Sequence, residues 1–189
     1  MNKLMAGTLA IFGLAGLVCA QTPAAAPAAP VSNVVANPTY TSIILEMPVS
    51  KPAAEVWKRV GKYCDIGEWL RIACTITAGK DGEVGAVRSV VSEVLVGMTE
   101  LSYTYTQPVR AGRPYNLYHG TLEARPVSAT TSKLVYTLMW DNSILVDDAA
   151  REKDKAQRTT QFTQALANMK ILAEGGTLPP APARGGPGR

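Results

Sequence analysis

The chain has 189 residues, 47% of them hydrophobic and 18% charged, and a formal charge of +4. Lys3, Arg184 and Arg189 lie in the end segments, and without them 16 basic side chains face 15 acidic ones. No basic stripe with interleaved aromatics occurs, so phosphate neutralisation has no basis here and no nucleic-acid partner is expected.

The first segment carries targeting features. Lys3 is followed by the apolar run Leu4 to Val18, and Val18-Cys19-Ala20 places small residues at a cleavage site. The reading is a Sec-type signal peptide over 1–20, cleaved after Ala20, and a periplasmic or secreted product. A run of about fifteen residues is short for a bilayer span, so no integral membrane span is expected after processing. Cys19 also raises a lipoprotein reading, against which stands Val18 where a small residue is needed. Residues 21–38 are rich in Ala and Pro and read as a linker; 175–189 are rich in Pro and Gly and read as a disordered tail. The folded domain is expected over 39–174, long enough for one real core.

Within it, Tyr40 to Val49 reads as a strand bounded by prolines. Ser50 is placed to cap a short helix with Pro52 in its first turn, Val56, Trp57 and Val60 on its apolar face and Gly61 at its end. Asp65 to Leu70 reads as a second short helix. Strands are expected at Ala73 to Ala78, Ala86 to Ser92, Met98 to Thr106, Tyr115 to Arg125 and Ser132 to Asp141. In the last two, Tyr118, Leu122 and Ala124, then Leu134, Tyr136, Leu138 and Trp140, share one face. From about Val146 to Glu174 the residues are helix formers, with Phe162, Leu166, Met169 and Ala173 recurring at helical spacing.

The predicted class is α+β: a curved antiparallel sheet of about six strands wrapped on a long C-terminal helix, with two short helices after the first strand. Only the last helix is long enough to cover the sheet's apolar face. A bent sheet gripping one helix does not close tightly everywhere, which leaves room for a cavity. Cys64 and Cys74 form an even pair in an oxidising compartment. A disulfide between them closes a loop of about eleven residues and contributes on the order of 2–3 kcal/mol; two separate buried thiols is the alternative.

Several segments in this order resemble the polyketide cyclase/dehydrase-like group of the SRPBCC (START-like, Bet v 1-like) superfamily. They are Val49-Ser50-Lys51-Pro52-Ala53-Ala54-Glu55-Val56-Trp57, Tyr63-Cys64-Asp65-Ile66-Gly67-Glu68-Trp69, Gly82-Glu83-Val84-Gly85-Ala86-Val87-Arg88, Thr99-Glu100-Leu101 and Phe162 to Leu172. The resemblance spans the folded domain and implies a helix-grip fold. It does not choose among cyclases, carriers and ligand sensors. Leu70 and Arg71 stand where many relatives are said to place His-Pro.

Candidate site residues follow from the inward faces. Trp57, Trp69, Tyr103, Tyr105, Tyr118, Tyr136 and Trp140, with Phe162, Leu166 and Met169 from the last helix, are expected to line a cavity, although each also fits plain core. Arg88 and Glu100 are read on neighbouring strands, either as a polar pair anchoring a ligand oxygen or as a cross-strand ion pair. His119 is the single histidine and falls on the wet face. No metal site, cofactor or catalytic residue is assigned. The expected function is an exported carrier or binding protein for a small hydrophobic ligand, lipid or aromatic. The alternatives are a cyclase/dehydrase-type enzyme in which a tyrosine and Arg88 polarise a carbonyl, and an interaction module held near the envelope by its linker.

Overall fold

The computed structural model describes residues 35–180. The expected signal peptide, most of the linker and the end of the expected tail lie outside these residues.

Seven strands form one antiparallel sheet: β1 Tyr40–Val49, β2 Ile76–Ala78, β3 Val87–Arg88, β4 Glu93–Thr99, β5 Ser102–Gln107, β6 Asn116–Pro126 and β7 Ser132–Asp141, in the order β1-β7-β6-β5-β4-β3-β2. Among the described residues three helices complete the fold: α1 Ala53–Val60, α2 Ile66–Trp69 and α3 Asp148–Ala173. First and last strands are neighbours, paired from Tyr40↔Asp141 to Val49↔Ser132. The two-residue period holds on the inner face, where Tyr103, Leu122 and Tyr136 lie side by side across three strands.

The expected strand Met98 to Thr106 is corrected to a hairpin. Residues 100–101 turn the chain, and Met98 pairs with Tyr103 and Thr99 with Ser102. Thr99 Oγ1 accepts from Leu101 N at 3.3 Å and lies 2.7 Å from Ser102 Oγ, so hydroxyls rather than Gly or Pro close this turn. The expected strand Ala86 to Ser92 likewise stops at Arg88; residues 89–92 turn into β4. These two turns account for a seven-stranded sheet where about six strands were expected. Ser50 does not cap α1. The N-cap is Pro52, with no side-chain bond, and the Ser50 N–H donates instead to Glu174 Oε1 at 2.8 Å.

Asp147 caps α3 by accepting from Ala150 N at 2.7 Å. The helix divides in two. No residue of 148–161 is buried, whereas Phe162, Ala165, Leu166, Asn168, Met169 and Leu172 are. Asn168 is a polar member of this face; its Nδ2 donates to Trp69 O at 2.8 Å and ties α3 to α2. Residues 175–180, read from sequence as the start of a disordered tail, fold back: Leu178 packs on the core and Arg71 Nη2 donates to Pro179 O.

The Cys64–Cys74 disulfide is formed, with Cα atoms 5.5 Å apart. It fastens the start of α2 to the segment leading into β2.

Candidate functional site: a cleft at the mouth of the sheet

Under the second half of α3 the space is occupied. Tyr136 meets Phe162 edge-on at 4.8 Å and Trp69 at 6.3 Å, and Leu166 and Met169 are buried beside them. Tyr105 crosses Gly120, where a Cβ would come within 2.4 Å of the ring, and its hydroxyl lies 2.8 Å from that of Tyr136. Burial holds the hydroxyls of Tyr105, Tyr118 and Tyr136 above the usual phenol range, so they stay protonated.

Among these rings sits Arg88, with no exposed surface. Its Nε donates to Glu93 Oε2 at 2.6 Å and its Nη1 to Tyr63 O at 2.6 Å. Nη2 lies 2.5 Å from the same Glu93 oxygen. The guanidinium stacks 4.2 Å from the ring centre of Tyr63, 4.7 Å from Tyr105 and 5.7 Å from Tyr103. Arg88 and Glu93 are cross-strand partners. The expected partner Glu100 is instead exposed in the β4–β5 turn, because the hairpin carries it out of the sheet. Neither Arg88 nor Glu100 lines the open cleft described next.

That cleft lies between the first half of α3 and the sheet, with a volume of about 460 Å³. Ile66 and Leu70 from α2, Val91 from the β3–β4 turn, and Tyr105, Tyr118 and Phe162 give it apolar walls. Three expected residues, Tyr105, Tyr118 and Phe162, reach it; Trp69, Tyr136, Trp140, Leu166 and Met169 lie behind it as core, and Trp57 and Tyr103 line a different recess.

Polar side chains also line the cleft, Glu93, Gln107, Arg113, Asp154 and Arg158 among them, and the sequence reading named none of these. Glu93 lines it; Oε1 accepts from Gln107 Nε2 at 2.7 Å, and Gln107 Oε1 accepts from Tyr115 OH at 2.5 Å. Burial pushes the Glu93 carboxyl above its ordinary range, against the pull of Arg88 and Gln107. Arg158 projects from α3 over three rings, 4.6 Å from Tyr115, 5.3 Å from Tyr118 and 4.9 Å from Trp140. Its Nε donates to both Asp154 oxygens at 3.1 Å, while Asp154 Oδ2 also accepts from Trp140 Nε1 at 2.9 Å. No hydrogen bond from either Arg158 Nη is found among the described residues. In sequence, Glu93 stands out only as a charge two positions before an inward Leu95, and Arg158 is hidden in a run of charges.

His119 lies half-buried on the outer face, and burial lowers its pKa. Among the described residues, no three His, Cys, Asp or Glu side chains are placed to hold a metal ion, and no helix is long and apolar enough to cross a membrane.

No family model and no curated protein matches the sequence. Solved structures do match. A solution NMR structure from Thermobifida fusca is 24% identical over 71% of this chain and 95% of its own, with a TM-score of 0.59. The Zhui aromatase/cyclase of Streptomyces sp. R1128 is 18% identical, covering 74% of this chain and 100% of its own, with a TM-score of 0.56. A truncated norcoclaurine synthase from Thalictrum flavum is 14% identical over 76% and 99%, with a TM-score of 0.57. The chain has a helix-grip fold. At these identities the likeness is one of fold. Within the helix-grip frame, the cleft here lies where the closing helix leaves the sheet.

Proposed function

We propose that this protein binds a small, mainly apolar molecule bearing a carbonyl or carboxylate end in the cleft beside α3. The observation that carries the reading is Arg158: a side chain 14% exposed, its guanidinium stacked on three aromatic rings at the rim of the cleft, with neither Nη hydrogen-bonded among the described residues. A guanidinium held this way is oriented to bind an oxygen pair, and the walls supply the apolar contact that favours the rest of the molecule. The export reading is part of the same proposal, supported by the disulfide and by the targeting pattern in the sequence.

Laurate is a suitable probe. Calorimetry is expected to show saturable binding that weakens at least about tenfold in Arg158→Gln and is abolished in Gln161→Trp, where an indole fills the cleft. Native mass spectrometry of freshly purified protein is expected to show a co-purified apolar acid. Laurate that fails to bind, or binds equally to both variants, removes the reading.

A second reading is a cyclase- or dehydrase-type enzyme. Names among the structural relatives include an aromatase/cyclase and a norcoclaurine synthase. The buried Glu93 at the cleft wall, with its raised pKa, is the group that favours it. Arg88 does not serve as its electrophile, since its Nε and Nη1 already donate to Glu93 and Tyr63 O.

A further inference from the structure

A second recess lies apart from the cleft, between α1, the β2–β3 loop and β4, with a volume of about 400 Å³. Its apolar lining comes from Trp57, Tyr103, Leu95 and Met98. Trp57 is held flat against the end of α1: a Cβ at Gly61 would lie 2.3 Å from its ring, so only glycine permits this placement. The indole and Tyr103 are tilted together at 5.6 Å, and Tyr63 meets Tyr103 edge-on at 5.4 Å. Opposite, Gly82 leaves open space, with no atom within 4 Å of where its Cβ would be.

Tyr63 and Tyr103 line the recess with their rings, their hydroxyls being buried. One feature is incomplete. At the rim stand Lys58 and Lys62, both exposed, and neither ammonium forms an ion pair among the described residues. The acidic groups near them are Asp81, which also lines the recess, and Asp65, whose carboxylate accepts from Lys62 N at 2.9 Å.

We infer that this recess is a second binding site, for a planar aromatic carboxylate. The ring system lies on Trp57 and Tyr103, and the carboxylate meets Lys58 and Lys62. Flat apolar surfaces with cations on one rim select this shape and charge over an alkyl chain. The main cleft differs: aliphatic Ile66, Leu70 and Val91 stand beside its aromatic walls, and its cations are the guanidinium groups of Arg113 and Arg158.

The probe is 6-hydroxy-2-naphthoate, followed through quenching of tryptophan fluorescence and by calorimetry on the Gln161→Trp protein, in which the main cleft is closed. Saturable binding is expected, at least about tenfold tighter than for neutral 2-naphthol. Lys58→Gln with Lys62→Gln is expected to erase that preference without altering the melting temperature, since both side chains are exposed. Met98→Trp, which fills the recess from an exposed position, is expected to abolish binding. In the unaltered protein, saturating laurate leaves one naphthoate site occupied. Absence of binding, indifference to the lysine pair, or complete displacement by laurate would each overturn the proposal. Laurate binding to the main cleft is measured separately, so either site can fail alone.

Discussion

Tyr105 lies across Gly120, its ring atoms 2.4 to 2.5 Å from the position a Cβ would take. The contact sets the reach of Tyr105 to Tyr136, two strands away. Gly120→Ala is therefore expected to displace the ring and break the 2.8 Å hydroxyl contact, lowering stability by about 1–3 kcal/mol in urea denaturation. Combined with Tyr105→Leu, which removes the ring, the losses are expected to be clearly less than additive. Strict additivity would show that Gly120 matters for some other reason.

The Arg88–Glu93 pair gives the second expectation. Both side chains are buried, at 0% and 3% exposure. Glu93→Gln strands a buried guanidinium and is expected to cost about 3–5 kcal/mol, whereas replacing both residues, as Arg88→Met with Glu93→Gln, recovers a large part of the loss. Guanidinium chloride titrations of the three variants measure it. A single variant as stable as the parent would remove the pair from any account of the core.

Asp141 gives the third, through pH. Burial raises the pKa of its carboxyl, but donors from Ser143 N and Thr39 N, the Ser143 hydroxyl and the Asn116 amide outweigh burial and hold it below the ordinary value. A lowered folded pKa contributes stability that is fully present above the unfolded value, about 3.9, and is lost as pH falls through the folded one. Asp141→Asn is expected to lower stability at pH 7 and to flatten its decline below about pH 4. A parallel pair of acid-limb curves would contradict this.

Much of the inner sheet face was legible because its period is local. Tyr118, Leu122, Tyr136 and Trp140 need only alternation to be placed inward. The Arg88 partner was not legible, because the turn at 89–92 holds Val91 and Ser92 at φ of 53° and 54° with neither Gly nor Asn to signal it. Glu93 thus looked like one more surface charge. The helix stripe showed which half of α3 is core, but Arg158 depends on three rings brought in from β7 and from the approach to and body of β6, a long-range coincidence that spacing along the chain does not encode. The cavity was expected along the helix; filled tyrosine rows confine open volume to the ends.

The fastening of Cys64 to Cys74 joins two stretches that frame separate recesses: α2 supplies Ile66 and Leu70 to one, and Tyr63, one residue before the bridge, borders the other. A single covalent staple thereby stiffens a wall of each. Cutting it with a reductant is expected to loosen both at once, although the two pockets share no lining side chain.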